Sequence, residues 1–556
     1  MMVSGYGKWL MRRRFAMKIE ELSENTLKGF AADYEKSQEQ MADFFSYIPS
    51  DKQWLQKRCQ DLTDRRFTHK QDVITYLERN MESLPNRKKI EEQLHKLKQE
   101  DAMVVVGGQQ AGLFTGPLYS VYKAITVIVL AKSYEKKLGR PVVPLFWIAG
   151  EDHDLDEVRT IYRPEATKWK KRLLADEVDG TSASKKVLPQ AELHDLISEL
   201  FSALPETSHT AELKGKVDHH AKHARTYVDF FMTMMHDLFA EEGLLYLDSD
   251  DEALRAIEKP FFKSLIDRVE DLQTAYIDGE TRFAEQGYQK PIDTDQDNAH
   301  LFYTVDGKRH RLNYSDEIFY IAETSIRFSK SELLAELDEH PERFSNNVVT
   351  RPLMQEWLLP SLAFVGGPGE IAYWGALKDC FSCFEFNMTP VVQRFSATIV
   401  PRSVEKHLAD KNEDPAAYIN GNGPQLKQQW LDRQHSFEIE EEIQRAQQQM
   451  EVAHLPLREL AKEMDPTVYD LSLKNKAFIE DQLVRLKAFM NKEMNRRYET
   501  ELRKYDEAIR WLHPFSSLQE RILNPIILLN LAGTDSIQRF IDELDGDSYR
   551  HLLIYI

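Results

Sequence analysis

Four carboxylates and one histidine stand almost side by side at Glu151, Asp152, His153, Asp154 and Asp156, directly after the apolar run 145–149. A carboxylate beside an imidazole can act as a general base, and crowded acids raise one another's pKa. The same Asp and His side chains could instead hold a divalent metal. A solvated acidic loop is the plain alternative, and it fits less well directly behind a buried run. Acid–base chemistry by Asp152, His153 and Asp154, with Glu151 against the substrate, is the expectation; no residue is assigned as a metal ligand.

Two glycine-rich loops accompany this cluster. The first carries Gly107, Gly108, Gly112 and Gly116, with Gln109, Gln110, Thr115, Tyr119 and Lys123 around it. It lacks the Gly-Lys-Ser/Thr of a phosphate loop and the G-x-G-x-x-G spacing of a dinucleotide fingerprint. Amides, a hydroxyl and free backbone N–H groups suit a polyol or a carboxylate, and a helix N-terminus favours anions. The competing account is that these glycines serve close helix–sheet packing. The second loop, Gly366-Gly367-Pro368-Gly369, repeats the pattern and leads into Glu370, Tyr373 and Trp374. Upstream, Asn347, Arg351 and Gln355 could reach the same cleft. Arg351 and Arg394 are candidates for gripping a carboxylate or phosphate in bidentate fashion, although an arginine taken singly is more often a surface ion pair. Gly112, Gly367 and Gly369 complete the expected substrate-binding set.

Weaker signals are set aside. Cys380 and Cys383 have metal or redox spacing, but no second pair completes a zinc site, so two core-facing thiols are expected. The string Ser329-Lys330-Ser331 is too short to mean more than chance.

The elements that must position these groups can be read from periodicity. The β-branched run 103–106, a glycine-rich turn, a long apolar helix and the buried run 142–148 form the strand–helix–strand unit of a doubly wound parallel sheet, which binds ligands at the carboxyl ends of its strands. A further strand is expected at 244–248, and others at 362–365 and from Val391. The predicted fold class is therefore α/β, a Rossmann-like core with insertions. Residues 1–16 are expected to be a disordered extension before a second start at Met17, 17–100 a helical segment and 101–430 the core. Its insertions fall at about 157–240 and 285–345. The first includes a flexible stretch with Thr181, Ser182 and Ser184; the second includes a hairpin over 301–321 turning at Asp306-Gly307. From 431 to 515 apolar residues step by threes and fours on either side of Asp465-Pro466, which predicts an antiparallel coiled-coil arm. A C-terminal helical segment is expected over 516–556.

Composition bounds the rest. A chain of 556 residues needs more than one domain. A net charge of −19 argues against nucleic acid or anionic membrane as partner. No run is long enough to span a membrane. Three cysteines point to a reducing, cytoplasmic compartment.

The segments GGQQAGLFTGPLYSVYKA (107–124), FWIAGEDHDLDEV (146–158) and SNNVVTRPLMQEWLLPSLAFVGGPGEIAYW (345–374), followed by the coiled coil, resemble the bacillithiol-biosynthesis cysteine-adding family, BshC, from Met17 to the C-terminus. That resemblance implies a homodimer built on the coiled coil. It also implies an amide-forming step that joins the carboxyl of L-cysteine to the amine of glucosaminyl-malate. In that setting Asp152, His153 or Asp154 would take the amine proton, Gln109, Gln110 and Thr115 would hold sugar or malate, Arg351 or Arg394 would pair with a carboxylate, and Glu370 with the cysteine amino group. ATP or ADP with Mg2+ is the candidate cofactor, left unassigned because the HIGH signature of cysteine-activating synthetases is absent where QQAGLFTG stands. A metal-dependent hydrolase or phosphotransferase using Asp152-His153-Asp154, or a non-catalytic coiled-coil scaffold, are the alternatives.

Overall fold

The computed structural model describes residues 18–556 except 25, 37–38, 49–50, 293, 435–438 and 547–549, so the expectations for 1–16 and for a start at Met17 lie outside the described residues. The chain forms two compact units: one runs to Val400 and resumes over Ser517–Ile556, the other is Pro401–Ser516. The core expected to reach 430 thus ends at 400, and the last forty residues return to it.

In the first unit, β1 is Lys18–Glu21, β2 Met103–Gln109, β3 Val142–Ile148, β4 Thr160–Pro164, β5 Trp169–Leu173 and β6 Leu245–Asp248. There follow β7 Asn298–Val305, β8 Lys308–Ser315, β9 Ile318–Tyr320, β10 Arg327–Ser329 and β11 Phe344–Asn346. The last are β12 Ser361–Gly366, β13 Val391–Gln393, β14 Ser396–Val400 and β15 His551–Tyr555. The helices that matter here are α1 (Leu118–Leu138), α2 (Glu252–Asp267), α3 (Thr350–Leu358) and α4 (Pro368–Gly375).

The central sheet has five strands in the order β13-β12-β2-β3-β6, every pair parallel. A parallel sheet covered on both faces needs unbroken apolar strands, and β3 and β12 are buried at every residue. The chain winds from β2 outward to β3 and β6, then returns to the other side of β2 for β12 and β13. The direction therefore reverses between β2 and β12, which is where such sheets open a ligand crevice. Both glycine loops leave from these two strands. Gly108 has to be glycine because a Cβ would sit 2.6 Å from the Trp147 carbonyl oxygen on the neighbouring strand.

The hairpin expected over 301–321 is β7–β8, turning at Asp306-Gly307 with both residues at positive φ. It belongs to an antiparallel sheet of order β10-β9-β8-β7-β11. Ser329 caps the helix that follows β10 in a reciprocal capping box with Glu332, which gives the Ser-Lys-Ser string a structural role. The stretch expected to be flexible at 181–184 is instead pinned: Ser182 Oγ donates to Asp250 at 2.6 Å, and Ser184 Oγ to Asp248 at 2.8 Å. Cys380 is buried and Cys383 half-buried.

A third sheet, β1-β15-β14, closes the unit, with β15 antiparallel to β1 and parallel to β14. The C-terminal segment expected to be helical ends in this strand. Its sequence, His-Leu-Leu-Ile-Tyr, is too short to show a helical period and is fully buried over its first four residues.

In the second unit, α5 (Ile439–Met464) and α6 (Pro466–Arg497) form the arm, followed by α7 (Glu499–Leu512). Asp465 caps α6 by accepting from the Thr467 amide at 2.7 Å, and Pro466 occupies the first helical position. Pairing of Glu451 with Lys476 at 3.0 Å, of His454 with Asn475 at 3.2 Å and of Glu440 with Lys487 fixes the antiparallel register. The second run, expected as one helix, divides at Tyr498. Among the described residues no helix is long and apolar enough to cross a membrane.

Candidate active site

A cavity of about 740 Å³ opens at the reversal point of the central sheet. Its walls come from the loops after β2, β3 and β12, from the antiparallel insertion and from the returning C-terminal segment. Of the residues singled out in the sequence, Gln109, Gln110, Tyr119, Glu151, Asp152, His153, Asn347, Arg351, Gly367, Gly369, Glu370, Tyr373 and Arg394 line it. Gly112, Thr115, Lys123, Asp154 and Trp374 do not.

The cluster after β3 divides into unlike parts. Asp152 is held: Gln110 Nε2 donates to one carboxylate oxygen at 2.7 Å and the Asp154 amide to the other at 3.0 Å. His153 is less constrained, its Nδ1 buried and without a hydrogen-bond partner among the described residues. Burial, then the nearby Arg309, holds its pKa below that of an ordinary histidine, so the imidazole is neutral at pH 7. Asp154 is exposed at the start of a short helical turn, outside the cavity. Among the described residues no three His, Cys, Asp or Glu side chains stand together as a metal site would require.

Lys123 ties the two glycine loops together. Its ammonium donates to the Gly108 carbonyl at 2.7 Å, to Gln109 Oε1 at 3.0 Å and to Glu370 Oε2 at 2.5 Å, which uses all its protons. With 1% of its surface exposed it is a strut and not a ligand for substrate. Glu370 Oε2 also accepts from the Gly367 amide at 2.8 Å, so the carboxylate expected to meet a substrate amine already has a cation.

The two arginines separate as clearly. Arg394 is buried and grips Glu520 through both terminal nitrogens, at 2.6 and 3.1 Å. Arg351 stands over Phe364, with Trp147 and Trp374 nearby, at 4.8, 5.8 and 5.9 Å from their ring centroids. One of its nitrogens donates to Gln355 at 3.1 Å, while the other is buried without a partner among the described residues. It is the arginine with capacity for an anion. Asn347 is occupied in starting α3, its side-chain Oδ1 accepting from the Val349 and Thr350 amides.

Three of the expected residues are placed in the packing behind the cavity. Phe114, Thr115 and Gly116 take positive φ in succession, which turns the Thr115 side chain into the core. Gly112 packs on Gly116, where a Cβ would come within 2.7 Å of its Cα. Trp374 stacks on Phe364 with ring centroids 4.5 Å apart and is fully buried.

The cavity also holds residues that the sequence reading missed, chiefly Phe302, Arg309 and Arg521. Arg309 lies 3.7 Å from the centroid of Phe302 and donates to Ser345 Oγ at 2.9 Å and to the Asn346 carbonyl. It stands in the run Lys308-Arg309-His310-Arg311, which reads as a solvated face and offers no signal of burial.

The family model described as bacillithiol biosynthesis BshC, N-terminal Rossmann-like domain, matches residues 17–395. The model for the C-terminal coiled-coil domain of the same family matches 397–556. The chain belongs to the BshC family. A protein named "Putative cysteine ligase BshC" from Shouchella clausii is 52% identical over 540 residues, covering 97% of this chain and all of that one. One of the same name from Halalkalibacterium halodurans is 40% identical, covering 94% and 97%. A solved chain titled a putative arginyl-tRNA synthetase from Campylobacter jejuni covers 77% of this chain and 96% of that one at 10% identity, and its TM-score of 0.24 carries no argument. The family boundary at 395–397 lies close to the break at 400, while the last forty residues, which the coiled-coil model includes, return to the first unit.

Proposed function

We propose that this chain joins the carboxyl of L-cysteine to the amine of glucosaminyl-malate, forming an amide in bacillithiol synthesis. The observation that carries this reading is a histidine nitrogen without a hydrogen-bond partner among the described residues, in a cavity that also holds an arginine with one such nitrogen. His153 takes the proton lost by the attacking amine, Asp152 with Gln110 braces the loop, and Arg351 receives a malyl carboxylate. No step is assigned to a nucleotide; ATP with Mg2+ is the activating system to test. Purified protein given cysteine and glucosaminyl-malate should yield the amide by mass spectrometry when ATP and Mg2+ are present, with AMP or ADP released. Binding of both substrates by folded protein, without product even from a chemically activated cysteine, would overturn the reading.

Arg351→Met should raise the KM for glucosaminyl-malate by about 10- to 100-fold with a smaller change in kcat, the effect of removing a charged hydrogen bond made in ground and transition state alike. Steady-state kinetics with varied glucosaminyl-malate would show it, and an unchanged KM would move the carboxylate elsewhere.

The arm is proposed to pair two copies of the chain. It exposes Val452, Leu460, Leu471, Phe478 and Phe489, with Val452 73% and Phe489 68% accessible, an apolar display that single chains seldom carry. Leu460→Asp combined with Phe478→Asp should shift the mass measured by sedimentation from dimer to monomer; a wild-type monomer at micromolar concentration would sink the idea. Three free thiols suit the cytoplasm, the proposed compartment.

A further inference from the structure

Amide formation from an amine that arrives as an ammonium releases two protons from nitrogen, and one histidine can accept only one of them. We propose that Glu151 is the second proton acceptor of the cavity, taking the ammonium proton before His153 takes the proton released on bond formation. The inference rests on the amide-forming reading above.

The geometry sets Glu151 apart from its neighbours. It lines the cavity with 5% of its surface exposed, and its Oε2 is buried without a hydrogen-bond partner among the described residues. Asp152 has both oxygens engaged and Glu370 is matched to Lys123. The backbone beside Glu151 is tightly placed: a Cβ on Gly150 would lie 2.0 Å from both Asp248 Oδ1 and Ser184 Oγ. The loop is thus pressed against the end of β6, and the carboxyl position is fixed by packing.

The charges facing Glu151 come from several elements. Arg255 on α2 and Arg309 on β8 lower its pKa; Asp250, in the loop after β6, raises it. Asp248 and Glu258, the latter paired with Arg255 at 2.7 Å, belong to the same buried set. Burial outweighs the arginines and leaves Glu151 above the usual carboxylate range, while Asp248 and Glu258 are both pushed up to about 7. A proton arriving on Glu151 therefore neutralises a charge that burial disfavours.

The atoms balance as follows. The substrate ammonium gives one proton to the Glu151 carboxylate. The freed nitrogen lone pair attacks the carbonyl carbon of a cysteinyl group activated as a mixed anhydride with phosphate. The C–N bond forms, the C–O bond to phosphate breaks, and the phosphate leaves with the bonding pair. The nitrogen then passes its second proton to His153 Nδ1. The products are the amide, the phosphate anion, a protonated Glu151 and an imidazolium.

The test uses chemically prepared cysteinyl adenylate with two nucleophiles. Glucosaminyl-malate must shed two protons, whereas hydroxylamine is uncharged at neutral pH and must shed one. In single turnover Glu151→Gln should slow the first reaction by roughly 100-fold and leave the second within about twofold, while His153→Ala slows both. Glu151→Asp, which keeps the carboxylate, should recover part of the loss. Equal loss with both nucleophiles in folded Glu151→Gln would make the residue structural and overturn the proposal, as would no loss with either. A wild-type enzyme inactive with both nucleophiles would remove the amide-forming reading and the inference together.

Discussion

His153→Ala is expected to lower kcat for amide formation by about two to four orders of magnitude, the usual contribution of a positioned general base, with stability nearly unchanged. The imidazole makes no hydrogen bond through Nδ1 that the fold would miss, and its ring meets Phe302 edge-on at 6.2 Å. Burial, and then Arg309, keeps it neutral to a lower pH than an ordinary histidine. A base must be unprotonated to work, so activity governed by His153 rises with pH through that lowered value, and its acid limb lies below about 6.5. Arg309→Met should move this limb upward, because one of the influences that disfavour the imidazolium is gone. Asp152→Asn, which keeps one oxygen for Gln110 or the Asp154 amide, should cost less than His153→Ala. Full activity in His153→Ala, read against an unchanged thermal transition, would end the assignment of His153 as the base.

The largest loss of stability is expected for Glu520→Ala. This side chain is almost fully buried and accepts from Arg394 at 2.6 and 3.1 Å, from Ser396 Oγ at 2.9 Å and from the Ala397 amide at 3.2 Å. Removing it leaves the guanidinium of Arg394 buried and unmatched, which costs about 3–5 kcal/mol. Burial alone would raise the pKa of Glu520, but Arg394 outweighs it and holds the carboxyl below the usual range. A depressed folded pKa means that the stabilisation is present above the unfolded value of about 4.5 and is lost as pH falls through the folded one. Urea melts of Glu520→Ala should therefore show a deficit at pH 7 that narrows in acid. Arg394→Met with Glu520→Leu, which removes both charges together, should recover much of the loss. A single variant as stable as wild type would mean that the pair contributes little.

The parallel core was legible because its strands are buried on both faces, so β2 and β3 read as unbroken apolar runs with glycine or acid immediately after. The position of the site followed from that, since loops at the carboxyl ends of such strands carry its residues. The roles within it were not legible. Arg351 and Arg394 look alike in sequence, and they part only because Glu520, 126 residues further on, meets one of them. Lys123 shares a helix face with Tyr119, as the spacing suggested, but the partners that consume its protons come from β2 and α4. Thr115 was lost to three successive left-handed residues that no periodicity reveals. Arg309 was hidden in a cationic run, and the Asn346 carbonyl that receives it lies 37 residues further on.

The order in which this chain is made bears on when its cavity can become competent. All five strands of the central sheet have been synthesised by Gln393, yet the counter-ion of Arg394 and the cavity residue Arg521 lie beyond the whole coiled-coil unit. The middle strand of the closing sheet, β15, comes later still and must enter between the earliest strand, β1, and β14. A nascent chain therefore lacks the counter-ion of Arg394 for as long as the ribosome takes to build the arm. The pocket is completed after the arm exists, so a chain truncated within the arm would keep the central sheet while lacking a finished pocket.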